Sequence, residues 1–292
     1  YASGTTMKPI YTAAKRGLKK RVAYSEGEEE RVLRAAQIVV DEGLARPTLI
    51  GRPAVIAERI EKFGLRLKEG LDYDVVNVEQ DSRYRDFWQT YHRMTERKGI
   101  TVQIAKIEMR RRLSLIGTML LHKGDVDGLI CGTWGTNATH LPYVDQVIGK
   151  RPGVNTFACM NGLMLPNRQV FLVDTHVNYD PTAEQLAEIT VMAAEEMSRF
   201  GLIPRAALLS HSNFGTHEDE SALKMRAQST GSADSSSTRV VDGDRERDRL
   251  LPADPIGEQR GQAHVHRASG KRVHEQVVSL AALHGLDHQR VD

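Results

Sequence analysis

The sequence predicts an α/β fold built on a parallel sheet, and three observations carry that expectation. Residues 20–64 alternate strand, helix, strand, helix, with a glycine closing each helix; such β-α-β units give parallel strands joined by right-handed crossovers. A short apolar run, Val126 with Leu129, Ile130 and Cys131, stands between Gly124-Asp125 and Gly132, which reads as a buried parallel strand opening into a loop. The length of 292 residues suits two ordinary domains or one large one.

Residues 1–17 read as a connector, because Ser3-Gly4-Thr5-Thr6 is small and flexible and Pro9 breaks a helix. Lys20 to Tyr24 is the first strand. In the segment that follows, Ser25 and Glu28 have capping-box spacing, Val32, Ala35, Ala36, Val39 and Val40 share a face, and Gly43 sits at the C-cap. Acidic residues at 26, 28, 29 and 30 suit the positive helix end but compete with any phosphate for its amides. Pro47 to Gly51 is a second strand, Ala54 to Phe63 a second helix stopped by Gly64, and Tyr73 to Val78 a third strand. Arg83 to Lys98 has helical spacing, with Phe87, Trp88, Tyr91 and Met94 as a core stripe. Val102 to Leu121 reads as one longer helix around Ile104, Ile107, Leu113, Ile116 and Leu120, with Arg110, Arg111 and Arg112 on a solvated face.

After the focal strand, Val154 to Met160 and Val170 to Asp174 read as two strands around a turn at Pro166-Asn167. Asp180-Pro181-Thr182 starts a helix through Leu186, Ile189, Ala193, Met197 and Phe200, stopped at Gly201. Pro204 to Leu209 is the next strand.

Loops at the carboxyl ends of strands in open α/β sheets are where ligands sit. Three such positions stand out. The focal loop carries Thr133, Thr136, Asn137, Thr139 and His140, small hydrogen-bonding residues suited to an oxyanion-bearing ligand; the plainer reading is a polar cap for the next helix. A second loop, S-H-S-N-F-G-T, carries Ser210, Ser212 and Asn213, and would form a cleft with the first if the two face each other. A third stretch holds Asp174, Thr175, His176 and Asn178, where His176 reads equally well as a core histidine. Arg97 and Lys98, at a helix end, could reach an anion.

Composition narrows the function. Hydrophobic residues at 40% and charged residues at 27% fit a globular protein, and no apolar run approaches membrane-spanning length. A formal charge of +2 gives no reason to invoke nucleic acid. Cys131 and Cys159 suggest a reduced compartment and packing roles, and no spacing supports a metal site, a nucleophilic triad or a P-loop.

The runs K-R-V-A-Y-S-E-G-E-E-E-R-V-L-R-A-A-Q, G-T-M-L-L-H-K-G-D-V-D-G-L-I-C-G and R-P-G-V resemble the phosphate acetyl/butyryltransferases over roughly residues 19–226. M-N-G-L-M-L-P, V-D-T-H-V-N-Y-D-P-T-A-E-Q-L-A-E-I-T and A-L-L-S-H-S-N-F-G resemble more closely the C-terminal phosphotransacetylase-like domain of bacterial NADP-dependent malic enzymes. The resemblance implies an isocitrate dehydrogenase-like architecture: two α/β domains, mainly parallel sheets, an interdomain cleft and a homo-oligomer in the cytoplasm. It implies a linker from an upstream malic enzyme region at 1–18, a first domain at 19–150 and part of a second at 151–226. A start without methionine fits that origin. NADP and a divalent metal would belong to the parent's other domains, and acetyl-CoA or acetyl phosphate to this one.

Two departures bear on activity. Active relatives carry T-x-x-x-x-R-P in the focal loop, and alignment on P-G-V sets Pro142 where that arginine belongs. From about Ala227 the family pattern, including a later S-R pair used in catalysis, is not matched. Residues 227–292 contain no Phe, Tyr, Trp or Met and one lysine, Lys271, which predicts a tail that is disordered or out of frame. No catalytic residue is assigned. Three functions follow: a regulatory domain sensing acetyl-CoA for a malic enzyme, an autonomous phosphate acetyltransferase, and a non-catalytic oligomerisation module.

Overall fold

A computed structural model describes residues 2–165 and 169–208, with 220, 223, 224, 227, 239 and 240. The chain separates into two compact units, the first holding Tyr1–Asn155 and the second beginning at Thr156.

In the first unit, β1 (Lys20–Tyr24), β2 (Ala45–Gly51), β3 (Asp74–Asn77) and β4 (Gly128–Ile130) form a sheet of order β3-β2-β1-β4. All three pairings are parallel, with Tyr24 opposite Leu49 on one side and Ile130 on the other. Helices α2 (Glu30–Asp41) and α3 (Pro53–Lys62) supply the crossovers. Val32, Leu33, Ala36, Ile56 and Ile60 join Tyr24 and Leu49 in one core. Helices α4 (Tyr84–Thr95), α5 (Val102–Arg111), α6 (Leu113–His122) and α7 (Asn137–Val147) form the second. There Phe87, Tyr91, Met109, Leu115, Met119 and Leu120 pack with Ala23 and Ile50. The expected aromatic stripe on α4 is therefore core. Gly43, with φ +66, ends α2 through amide bonds at 43 and 44 back to Val40 and Val39, a left-handed C-cap that costs glycine little.

Four readings need correction. Residues 2–16 form a helix, α1 (Ala2–Arg16), through Pro9. Proline's φ is itself helical, so it removes one backbone bond, and Ala13, Ala14 and the basic last turn, Lys15 and Arg16, favour helix. Lys15 pairs with Glu42 at 2.6 Å, tying α1 to the end of α2. Residues 102–121 form two helices, because Arg112 is extended (φ −106, ψ 95). With the halves free to rotate separately, α5 buries Ala105 and Met109 and leaves Ile104 and Ile107 exposed, whereas α6 is buried from Ser114 to Leu120.

The capping box at Ser25 and Glu28 does not form. Helix α2 starts at Glu30, and the carboxylate of Glu28 instead accepts from the amide and guanidinium of Arg52 at 2.8–2.9 Å. Tertiary partners have outcompeted a local cap. The focal strand is also less covered than expected: β4 is an edge strand among the described residues and Ile130 is 51% exposed.

In the second unit, β5 (Met160–Met164) pairs with β6 (Gln169–Val173), so the first of these strands begins where the expected one ended. Helix α8 (Ala183–Arg199) opens on a complete capping box between Thr182 and Gln185 and ends before Gly201, φ +73. Two further short strands, β7 (Arg205–Ala206) and β8 (Arg239–Val240), pair in parallel. The Pro166-Asn167 turn, the 210–216 loop and nearly all of the 227–292 segment lie outside the described residues.

Candidate functional site at the ends of β1 and β4

The strand order places a topological switch between β1 and β4. From β1 the chain steps through β2 to β3 in one direction, and β4 then joins the opposite side of β1. The connections diverge there, and such a divergence is where open α/β sheets carry their ligand crevice, beyond the carboxyl ends of the strands. Two loops line it: residues 25–29 after β1 and residues 131–136 after β4.

Backbone and side chains lock these loops together. The Ser25 amide donates to the Ile130 carbonyl at 3.0 Å. The Gly132 amide donates to the Glu26 carboxylate at 3.2 Å, and the Trp134 indole N–H to the Glu29 carboxylate at 2.9 Å. The carboxylates read as helix-dipole partners thus split their duties, with only Glu30 left in the first turn of α2. Ser25 is fully buried and its hydroxyl has no hydrogen-bond partner. Gly27 follows because there is no room for more: a Cβ there would lie 2.8 Å from the Ile50 amide nitrogen.

A second lock comes from α6 and α7. The His140 ring bridges the Ser114 hydroxyl, 2.6 Å from Nδ1, and the Trp134 carbonyl, which Nε2 approaches. A carbonyl only accepts, so Nε2 carries a proton, and in the neutral ring Nδ1 accepts from the buried Ser114 hydroxyl. Gly135, φ +87, lets the chain turn closely under that ring; a Cβ there would be 3.1 Å from Nε2. Burial, then the Glu26 charge, pushes the Cys131 thiol up to about 11, with the neighbouring Ser114 opposing the rise. Cys131 is therefore a protonated thiol at neutral pH.

Of the expected site residues, Thr133 is half-buried in the loop, while Thr136, Asn137 and Thr139 are exposed. Thr136 stands at the N-cap position of α7 without a side-chain cap bond; its hydroxyl lies 3.3 Å from that of Thr139. The loop thus fills the plainer role of leading into α7. Arg97 is exposed in the short 3-10 helix Glu96–Lys98, and no hydrogen bond or ion pair joins it to the loop. Ser210, Ser212 and Asn213 lie outside the described residues. Pro142 is exposed inside α7. In the second unit, Asp174 has φ +57, Thr175 accepts from Asn161 at 2.6 Å, and Asn178 donates to the Phe157 carbonyl. Sequence reasoning missed Ser114, Glu26, Glu29 and Trp134 as members of the crevice. No group of three or more His, Cys, Asp or Glu fit to hold a metal occurs among the described residues.

The sequence matches the family described as Phosphate acetyl/butaryl transferase over residues 5–253. The chain belongs to the phosphate acetyl/butaryl transferase family. The match reaches beyond residues 19–226 in both directions. Within the family's curated relatives, an NAD-dependent malic enzyme of Rhizobium meliloti is 47% identical over 226 residues, covering 77% of this chain and 29% of the relative. An NADP-dependent malic enzyme of Salmonella typhimurium is 45% identical over 251 residues, 86% of this chain and 33% of the relative. A phosphate acetyltransferase of Nitratidesulfovibrio vulgaris is 35% identical over 195 residues, 66% of this chain and 27% of the relative. The chain spans a third or less of the length of these relatives. The fold is that of solved phosphotransacetylases: one from Streptococcus pyogenes has TM-score 0.68 and 24% identity over 80% of this chain and 71% of that one. EutD phosphotransacetylase from Staphylococcus aureus has TM-score 0.67 and 22% identity, covering 79% of this chain and 68% of its own. No helix of the described residues is long and apolar enough to cross a membrane.

Proposed function

We propose that this chain is the phosphotransacetylase-like region of a bacterial NAD(P)-dependent malic enzyme, and that it binds acetyl-CoA as an allosteric regulator rather than transferring its acetyl group. The observation that carries the reading is the make-up of the crevice loop. Residues 133–140 offer hydroxyls and amides at a switch point, while Pro142 stands where the sequence reading sets the family's loop arginine. Neutral donors can hold a phosphate or thioester oxygen. A guanidinium is a stronger clamp on the charge of a phosphoryl transition state than neutral donors are, and residues 133–140 contain none. The 44–49% identity to malic enzymes against 29–35% to phosphate acetyltransferases supports the same side.

On this reading, acetyl-CoA biases the parent enzyme by binding two of its states unequally. The upstream malic enzyme domains and a second copy of the chain are its partners in the cytoplasm. NADP and a divalent metal serve the parent's oxidative decarboxylation of malate to pyruvate, outside this region. The test is a thermal melt with and without acetyl-CoA, followed by an acetyl phosphate to CoA transfer assay on the same sample. Acetyl-CoA at about one hundred times its Kd should add about 2.7 kcal/mol of stability, with no turnover. Turnover would make the chain a phosphate acetyltransferase, and a cooperative melt that ignores acetyl-CoA would leave an oligomerisation module.

A further inference from the structure

Trp134 is an exposed aromatic side chain held unusually firmly. It is 65% exposed, yet its indole N–H is bonded to Glu29, its carbonyl receives the His140 ring, and glycines with positive φ, Gly132 and Gly135, shape the loop around it. An exposed indole normally gains little from such tethering. Fixing its plane in advance removes the ordering cost of a ligand that lies against it.

The surroundings state what that ligand must be. Glu26 and Glu29 make this rim of the crevice acidic, and Glu28 is already committed to Arg52. A phosphate is disfavoured beside them. A flat, neutral ring carrying an amino group is favoured, because the ring stacks on indole and the amino group donates to a carboxylate. Glu29 spends Oε1 on the indole N–H, which points out in the ring plane, leaving Oε2 as an acceptor at the ring edge, within reach of an amino group on a ring stacked over the indole. Ile130, 51% exposed at the end of β4, adds apolar surface next to the loop.

We infer that Trp134 and Glu29 seat the adenine ring of an acyl-CoA, with Trp134 as the stacking platform and Glu29 as both its tether and the acceptor for the exocyclic amine. This inference rests on the acetyl-CoA reading above and fixes the ligand's direction: base against the acidic rim, phosphates turned away from it.

The experiment compares acetyl-CoA with S-acetyl-pantetheine, which keeps the thioester arm and lacks the adenosine, by titration calorimetry on the full chain and on Trp134→Ala, Trp134→Phe and Glu29→Ala. Base–aromatic stacking is worth on the order of a ten- to hundredfold change in affinity. Trp134→Ala should weaken acetyl-CoA by that factor and leave S-acetyl-pantetheine unchanged. Trp134→Phe should recover most of the loss, and Glu29→Ala should show a smaller, equally selective loss. Because the Trp134 side chain is exposed, its variants should melt like the parent. Acetyl-CoA should also quench indole emission in the parent protein. Equal weakening of both ligands would assign the ring to the thioester arm and overturn the inference. So would a Trp134→Ala variant that binds acetyl-CoA normally, although the regulatory reading would survive it. Failure of the parent chain to bind acetyl-CoA would overturn both.

Discussion

Replacing Gly27 by alanine should be among the most damaging single-methyl changes in the first unit. The glycine amide donates to the Ile50 carbonyl at 3.1 Å, which brings the turn after β1 directly onto β2. An alanine Cβ would sit 2.8 Å from the Ile50 nitrogen, 2.9 Å from its oxygen and 2.9 Å from the Leu49 Cβ. Two of these are backbone atoms of a central strand, and Leu49 and Ile50 are fully buried, so nothing can swing aside. Relief requires the turn to withdraw, losing a hydrogen bond worth about 1 kcal/mol in addition to overpacking of about 1–3 kcal/mol. A total near 3 kcal/mol lowers the melting temperature by about 6–12 °C, at about 2–4 °C per kcal/mol for a unit of this size. The withdrawn turn carries Glu26 and Glu29 with it, so the 131–136 loop should loosen as well. Gly43→Ala is the control, since its Cβ would meet nothing within 4 Å and it pays only for φ +66, about 1–2 kcal/mol. Melts of both variants by circular dichroism decide the matter. A Gly27→Ala midpoint within about 2 °C of the parent, or one no lower than that of Gly43→Ala, would refute the steric argument.

Two further predictions concern the same crevice and the core beneath it. Ser114→Ala, His140→Ala and the double variant should form a non-additive cycle, with His140→Ala alone costing about 1–3 kcal/mol because it strands the buried Ser114 hydroxyl; urea titrations giving additivity within about 0.3 kcal/mol would mean that the pair is not coupled. The fold should also weaken in alkali. Burial, aided by Glu108, pushes the Tyr91 hydroxyl up to about 12 from 10.0, and the Cys131 thiol rises to about 11 from 9.0. The folded chain then retains protons that the unfolded chain has released, so their stabilisation is complete below pH 9 and is lost as pH rises through 11 and 12. Midpoints that stay level from pH 8 to pH 11 would contradict this.

Much of the first unit was legible because its signals are local. Gly43 and Gly64 closed helices and Phe87 and Tyr91 kept their stripe into the core; in the second unit the helix expected to start at 180–182 begins directly after Thr182. What misled were local signals overruled by distant partners. Ser25 and Glu28 had cap spacing, but Arg52 took the carboxylate and the sheet buried the serine. Ile104 and Ile107 had core spacing, but the turn at Arg112 gave the two helices separate faces. In the candidate site, Thr133 through His140 were legible as a small polar loop after a strand. Ser114, Glu26 and Glu29 were not, since nothing in their own neighbourhoods refers to residue 134 or 140.

The sequence by itself determined the alternation of strands and helices over residues 20–64, and that a hydroxyl-rich loop follows the run at 126–131. It also carried family membership. Only the tertiary structure decided that β4 lies beside β1, and therefore that the 25–29 turn and the 131–136 loop share one crevice with the start of α6. The physical reason is range. Helix and strand patterns repeat within a few residues and leave their period in the chain, whereas pairing across about a hundred residues is chosen by the burial of the whole sheet and leaves no period to read.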